Sequence, residues 1–270
     1  SNLSSRSFRL TRRHMAACCP SSIAEIKNCE SHREALAGGG TPGPPEASSQ
    51  GPVCGETVVP NYVGLVAARG TDVVPFPQLL EPSDLELVAE VIQEVAGSCS
   101  EVENNPQNSD HAHKRCLFLN RACGGRDVMR ERAPRVLGKL LRAAVRARDC
   151  GGWAEKPDGS AGVLSGIRIQ ECSIRVVESW KYSIGGKLDD PWHYDAGSVV
   201  TIVCLLNDGF EGGVFRTFEE DGSHLSHPMQ RGDAVVFVSH KYHNVTEVTR
   251  GTRESLVIEL WQGGLPLWCR

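Results

Sequence analysis

The stretch that decides the fold of this chain reads Pro-Trp-His-Tyr-Asp at residues 191–195. In an extended strand, side chains two residues apart project to the same face. His193 and Asp195 can therefore both point at one centre, while Tyr194 points away. A histidine and a carboxylate on one face can supply two ligands to a metal ion, and a third ligand must then come from elsewhere in the chain.

The third ligand is expected downstream, in His-Lys-Tyr-His at residues 240–243. The run Gly-Asp-Ala-Val-Val-Phe-Val at residues 232–238 predicts a turn and a buried strand, which would deliver this segment to the mouth of a barrel. His240 and His243 compete for the ligand position. His243 is favoured because its spacing to Arg253 is short, which leaves His240 as a solvated or supporting group at the strand end.

Two histidines and one carboxylate form the ligand set that holds a non-heme Fe(II) and leaves coordination positions open for substrate and oxygen. Arg253 leads into the strand-like run Ser-Leu-Val-Ile-Glu-Leu-Trp at residues 255–261, and its guanidinium suits a small dicarboxylate. A His-x-Asp pair alone is more often a structural pairing than a metal site. The pair together with His243 and Arg253 indicates an iron- and 2-oxoglutarate-dependent oxygenase.

The same residues resemble the prolyl 4-hydroxylase-like branch of the 2-oxoglutarate/Fe(II) dioxygenases, well over residues 176–261 and more loosely from about residue 75. The matching motifs are Tyr-Ser-Ile-Gly-Gly-Lys-Leu at 182–188, His-Tyr-Asp at 193–195, Thr-Ile-Val-Cys-Leu-Leu-Asn at 201–207, Phe-Glu-Gly-Gly-Val-Phe at 210–215, Gly-Asp-Ala-Val-Val-Phe at 232–237, His-Asn-Val at 243–245 and Gly-Thr-Arg at 251–253. The resemblance implies an α+β protein with a double-stranded β-helix core (a jelly-roll, cupin-like barrel) and supporting N-terminal helices.

Carried over residue by residue, the resemblance implies that His193, Asp195 and His243 are the catalytic iron ligands. It further implies Fe(II), 2-oxoglutarate and O2 as cofactor and cosubstrates, with ascorbate as a reductant. The reaction expected of such a site is hydroxylation of an unactivated C–H bond, with succinate and CO2 as co-products.

The resemblance also implies a cosubstrate pocket. Arg253 takes the basic position that pairs with the distal carboxylate of 2-oxoglutarate, Tyr182 matches a tyrosine that hydrogen-bonds the cosubstrate, and Thr201 matches a strand residue facing the same pocket. Leu205 stands where some relatives carry a second cosubstrate-binding tyrosine. This departure leaves the distal pocket more dependent on Arg253 and Thr201.

Three readings of the function stay open at this point. The leading one is hydroxylation of a peptidyl proline or a similar side chain, and the second is an oxygenase of a free amino acid or another small metabolite with the same iron site. The third is a catalytically inactive β-helix binding module. The intact set of His193, Asp195, His243 and Arg253 argues against the third reading, because a decayed site is expected to lose at least one of them.

Composition narrows the partners to a peptide, a protein or a small molecule. The net charge of −4 and the isoelectric point near 6.1 give no basic field for nucleic acid. The longest apolar run, residues 199–206, is too short to cross a bilayer. The eleven cysteines include no Cys-x-x-Cys pair, so zinc-site spacing is absent. Cys172 and Cys204 are interpreted as small buried side chains in strands. Nothing in the sequence indicates an oligomeric state.

Residues 1–72 are expected to form a largely disordered extension with a Gly/Pro linker, apart from one weak helix near residues 23–36. Its first twenty-odd residues are rich in arginine and serine, with no acidic residue before Glu25. That pattern is typical of an organellar targeting segment, and it equally fits a fragment or a spurious upstream extension. The sequence therefore assigns no compartment.

Residues 73–270 are expected to form the dioxygenase domain, with helical support over 73–150 and the β-helix core over 163–262. A helix is predicted to start at Pro82 with Ser83 as N-cap, and a second one to span about 133–148. The remaining histidines are expected in solvated loops or polar stretches: His111, His113, His224 and His227.

Overall fold

A computed structural model of the chain describes residues 68–190 and 192–262. The expectations for residues 1–67, including the weak helix and the targeting segment, lie outside these residues. Residues 68–72, placed in the extension by the sequence, already pack against the domain: Ala68 is fully buried, and the Lys241 ammonium donates to the Arg69 carbonyl over 2.7 Å. Over the described ranges, no helix has the length and apolar character needed to cross a membrane.

The core of the described chain is built from eleven short strands. They are β1 (Val74–Phe76), β2 (Lys114–Phe118), β3 (Ser173–Tyr182), β4 (Val200–Leu205), β5 (Glu211–Gly212), β6 (Phe215–Phe218), β7 (His224–His227), β8 (Ala234–Val238), β9 (His243–Val245), β10 (Val248–Arg250) and β11 (Arg253–Trp261). A six-stranded antiparallel sheet has the order β1-β8-β4-β11-β3-β2, and β7-β6-β9 and β10-β5 form two smaller sheets. This is the double-stranded β-helix that the sequence predicts.

The central strands are apolar on both faces because both faces are covered. All six residues of β4 are buried, so the strand lacks the polar alternation of a half-exposed sheet. Ile202 and Cys204 pack in the cluster that contacts the helices. Val203 packs on the opposite side, with Phe215 of β6 and Phe237 of β8. The second face of the large sheet therefore meets the smaller sheets around an interior cavity.

The helices precede the main β core in the chain and cover one side of the large sheet. They are α1 (Pro82–Ser98), α2 (Glu101–Asn104), α3 (Val128–Arg132) and α4 (Pro134–Cys150), with 3-10 helices at Pro106–Asp110 and Ile169–Glu171. The prediction of a helix over about 133–148 is confirmed. Its apolar stripe is buried because residues spaced by three and four share one helical face.

The predicted N-cap of α1 was wrong. The cap is Glu81, and its backbone N–H donates to the Asp84 carboxylate over 3.2 Å. Pro82 is the first helical residue, a position that suits its fixed φ and missing N–H, and this moves the helix start ahead of Ser83. The Lys139 ammonium of α4 donates to the same Asp84 carboxylate over 2.5 Å, so the cap also ties the two long helices together.

Two of the cysteines that the structure describes were predicted to be buried in strands. Cys204 lies buried in β4 as predicted, and burial raises the pKa of its thiol. Cys172 is also buried, but it caps the second 3-10 helix just before β3, and burial together with the Glu171 charge raises its pKa to about 12. Cys99 and Cys123 are disulfide-bonded, a pairing that the sequence does not indicate.

Candidate metal centre

The three predicted ligands converge. His193 Nε2 lies 3.4 Å from Asp195 Oδ1, and His243 Nε2 lies 3.8 Å from the same oxygen. One ligand atom from each residue lies within 4.8 Å of the others. A first-row metal ion sits roughly 2 Å from each nitrogen or oxygen ligand, which requires ligand atoms about 3–4 Å apart. Both distances to Asp195 Oδ1 fall in this range, so the three donor atoms surround one candidate metal position.

His193 and Asp195 lie in the connection between β3 and β4 and not in a strand. The Asp195 N–H donates to the Ser239 carbonyl over 2.9 Å, and the His193 carbonyl accepts from the His243 N–H over 3.0 Å. The Tyr194 side chain lies on the other side, where its ring centroid is 5.5 Å from that of the His240 ring. The alternation predicted from spacing is confirmed, but its hydrogen bonds come from the segment that carries the third ligand.

The His243 ring is oriented for metal binding. Its Nδ1 lies 3.0 Å from the Lys241 carbonyl, which can only accept, so Nδ1 carries the proton and the lone pair of the unprotonated ring lies on Nε2. The ring centroids of Phe237 and Phe215 lie 4.8 and 5.6 Å from the centroid of the imidazole. His240 is buried against Tyr194 and stays outside the ligand group. Of its two expected positions, the solvated one was wrong, and the supporting one stays a prediction.

Asp195 is the buried residue of the His193–Asp195 pair. The Thr201 hydroxyl donates to its Oδ2 over 2.6 Å and lies 2.9 Å from the Ser239 hydroxyl. Burial would raise the pKa of Asp195, but His243, His193 and the Thr201 hydrogen bond outweigh it and hold the pKa well below its usual range. The carboxylate thus stays ionised with Oδ1 directed at the histidines. The Thr201 hydroxyl donates its proton to Asp195 and not to a ligand. A contact between Thr201 and the cosubstrate therefore stays a prediction.

Arg253 and Tyr182 share one row of the large sheet. Arg253 of β11 is paired in register with Tyr182 of β3, its guanidinium carbon lies 6.0 Å from the tyrosine ring, and its Nη1 donates to the Ser255 hydroxyl over 2.9 Å. Only 2% of Arg253 is exposed, and this burial lowers its pKa. Among the described residues, no carboxylate lies within 4.0 Å of it. A buried guanidinium without a counter-charge is costly, so the position favours an anionic ligand.

One cavity joins these groups. It encloses about 540 Å³ when its open mouth is counted. All six predicted site residues line it, namely Tyr182, His193, Asp195, Thr201, His243 and Arg253. Leu205, the position of the missing second tyrosine, is buried and is not one of the lining residues.

The remaining histidines lie elsewhere. His111 and His113 are exposed in the connection before β2, as predicted, and His224 is exposed. His227 was predicted to be exposed but is half-buried at the end of β7, where its ring nitrogen lies 2.7 Å from the Thr217 hydroxyl. Burial lowers its pKa.

Sequence reasoning missed two carboxylates in the cavity wall, Glu178 and Glu259. The Arg175 guanidinium lies 3.2 Å from Glu259, and the Ser198 hydroxyl donates to it over 2.7 Å. Burial, followed by the charges of Asp195 and Glu178, raises the pKa of Glu259 to about 8. Counting in twos from Arg253 along β11 would have found Glu259, since alternate residues share a face.

Solved structures that align with this chain include enzymes named as α-ketoglutarate-dependent or as 2OG-Fe(II) oxygenases. The α-ketoglutarate-dependent epimerase SnoN from nogalamycin biosynthesis aligns with a TM-score of 0.51 at 15% identity, over 73% of this chain and 80% of that chain. A Pseudomonas putida prolyl-4-hydroxylase aligns at 0.45 and 18% identity over 74% and 100%. A 2OG-Fe(II) oxygenase-family oxidoreductase from Burkholderia pseudomallei aligns at 0.46 and 17% identity over 79% and 95%.

No family model matches the chain, and no curated protein matches it. At these identities, the likeness to SnoN establishes the fold: this chain has the double-stranded β-helix fold of the 2-oxoglutarate/Fe(II) oxygenases.

Proposed function

We propose that this protein is a 2-oxoglutarate- and Fe(II)-dependent dioxygenase that hydroxylates an unactivated C–H bond and releases succinate and CO2. The observation that carries this proposal is the convergence of His193, Asp195, His243 and Arg253 in one cavity. Two histidines and a carboxylate leave open positions on the iron, and the buried arginine supplies the charge that a dicarboxylate cosubstrate needs.

Each group has a role that follows from its surroundings. His193, Asp195 and His243 would hold Fe(II), which with bound 2-oxoglutarate, O2 and ascorbate as reductant supplies the oxidising chemistry. Arg253 would pair with the distal carboxylate of 2-oxoglutarate, beside the Tyr182 ring and the Ser255 hydroxyl. Arg253 itself is 2% exposed, which weakens solvent screening and makes the pairing stronger than at a surface.

A peptidyl proline or a similar side chain is the first substrate candidate. Two large apolar side chains next to cavity residues are exposed: Trp192, beside His193, at 36%, and Ile184, near Tyr182, at 57%. Aromatic and aliphatic side chains on a surface beside a cavity are typical of sites that bind another polypeptide. This surface supports a peptide substrate that extends beyond the cavity.

A free amino acid or another small metabolite is the second candidate. The buried carboxylates of Glu178 and Glu259 favour it, because such groups suit a small polar ligand better than a neutral prolyl ring. The likeness to SnoN, an epimerase, is consistent with reactions on small molecules in this fold.

The test begins with anaerobic addition of Fe(II) and 2-oxoglutarate, followed by optical detection of the metal–cosubstrate chelate. Succinate release is then measured in air with a panel of proline peptides and free amino acids. A chelate with peptide-stimulated succinate supports the first candidate, and stimulation by metabolites alone supports the second. If no chelate forms, the proposal fails and the inactive binding module remains.

A further inference from the structure

The charged groups of the cavity are separated along the strands. One row across β2, β3 and β11 contains Lys114, Tyr182 and Arg253, which are paired in register. The acidic residues lie further along the same strands, Glu178 four positions before Tyr182 and Glu259 six positions after Arg253. The cavity therefore has a basic end, defined by Lys114 and Arg253, and an acidic end, defined by Glu178 and Glu259.

Glu259 has its own partners. Arg175 faces it at 3.2 Å, and the Ser198 hydroxyl donates to the same carboxylate oxygen. Arg175 stands where the register of β3 against β11 shifts by one residue. Such a bulge redirects side chains and here turns Arg175 towards Glu259. The contacts with Arg175 and Ser198 account for Glu259 without any ligand.

Glu178 is different. It is 8% exposed, and its Oε2 accepts a hydrogen bond from the Trp180 indole over 2.6 Å. Within residues 68–190 and 192–262, no donor reaches its other oxygen and no cation lies within 4.0 Å of either. A buried carboxylate without a counter-charge is costly, yet this one lines the cavity that holds the candidate metal centre.

We propose that Glu178 binds the side-chain cationic nitrogen, an ammonium or a guanidinium, of a basic amino-acid substrate, either free or within a peptide. This inference rests on the proposed function and specifies its substrate class. The cosubstrate carboxylate would occupy the basic end and the substrate cation the acidic end, so the two ligands are separated by charge. A neutral prolyl group would leave the Glu178 carboxylate buried without a partner, which disfavours it.

A cationic nitrogen can come from a free amino acid or from a lysyl or arginyl side chain of a peptide, and matched probes separate these sources. The full chain is loaded anaerobically with Fe(II) and 2-oxoglutarate, and probe binding is measured by calorimetry. The probes are L-arginine against L-citrulline, L-lysine against Nε-acetyl-L-lysine, and a capped Ala-Arg-Ala peptide against capped Ala-Pro-Ala. Arginine and citrulline have nearly the same shape, so their difference reports the charge.

The cationic member of at least one pair is expected to bind about 10- to 100-fold more tightly, the range for a hydrogen bond to a buried charge. Glu178→Gln should reduce this preference to near unity and keep the chelate absorbance. Glu254→Gln is the matched control, because Glu254 faces outward on β11 and pairs with Lys181 at 3.4 Å. The control should keep the full preference.

Two outcomes overturn the inference while the chelate persists: cationic and neutral probes bind equally, or no cationic probe binds. Loss of the chelate in Glu178→Gln also overturns it, since Glu178 would then serve the metal centre and not the substrate. Glu178→Asp guards against a folding defect, because it retains the charge and should keep part of the preference. Failure of the unaltered protein to form the chelate is a separate result, which refutes the proposed function itself.

Discussion

The two faces of the nine-residue strand β11 differ in polarity and in what they contact. Leu256, Ile258 and Leu260 point into the cluster that meets the helices. Arg253 and Glu259 point into the cavity, where their charges are buried. On the first face, close packing of apolar side chains stabilises the fold. On the second face, the fold buries charged side chains at a cost in stability and positions them to bind a ligand. Substitutions on the two faces should therefore fail in different ways.

The largest effect is expected on the cavity side, at a proposed metal ligand. His243→Ala removes the nitrogen that Lys241 orients, so Fe(II) binding and succinate release should both fall to background. The free energy of unfolding should change far less, which thermal unfolding of the metal-free protein checks. His224→Ala, on the exposed face of β7, should leave metal binding intact. Normal succinate release from His243→Ala would remove it from the ligand set.

Arg253→Ala should raise the 2-oxoglutarate concentration at half-saturation by roughly 30- to 1000-fold, the range for losing one partner of a buried charge pair. Iron affinity should change little, because Arg253 is not a ligand. The half-saturating 2-oxoglutarate concentration of Arg253→Lys should lie between those of the parent and of Arg253→Ala, because lysine keeps the charge and loses the planar guanidinium. Titration of chelate absorbance with 2-oxoglutarate measures all three proteins, and an unchanged value for Arg253→Ala would refute the anchor assignment.

On the helix-facing side, Ile258→Ala should lower the free energy of unfolding by about 2–5 kcal/mol, the cost of a cavity in a packed core. Ile258 is 1% exposed, so little relaxation can fill the gap. Denaturant unfolding measures the loss. The folded fraction should bind 2-oxoglutarate as the parent does, and a weakened affinity would show that the two faces are coupled.

The smallest effect is expected at a residue that acts through a ligand. Thr201→Val keeps the shape and removes the hydroxyl that donates to Asp195, so metal affinity should fall by about 10- to 100-fold. Thr201→Ser should restore most of it. Iron titration at fixed 2-oxoglutarate separates this effect from a cosubstrate contact. A change in 2-oxoglutarate affinity alone would instead support the pocket role implied by the family resemblance.

Local patterns in the sequence predicted most of the fold and the candidate metal ligands. The spacing of His193 and Asp195, the apolar runs that became β4 and β8, and the helical stripe of α4 are repeats within a few residues. Such repeats are readable because strand and helix periods are fixed by backbone geometry. The ligand chemistry of histidine and aspartate is likewise intrinsic to the residues.

The partners of buried polar groups were not readable in this way. The family resemblance implies that Thr201 faces the cosubstrate pocket, and only the packed structure shows its hydroxyl bonded to Asp195. The bulge at Arg175 and the pairing of Cys99 with Cys123 also depend on contacts between distant segments. Glu81 as N-cap of α1 follows from how the chain enters the helix.

The sequence by itself determined the fold class, the order of the strands' motifs and four side chains with matching chemistry. Only the tertiary structure decided that Glu178 and Glu259 share the cavity with them. It also decided that Glu259 has a cationic partner while Glu178 has none among the residues that the structure describes. The physical reason is that residue type and periodicity are properties of the local chain. The neighbours and burial of a charge depend on how strands far apart in sequence come into register around a common interior.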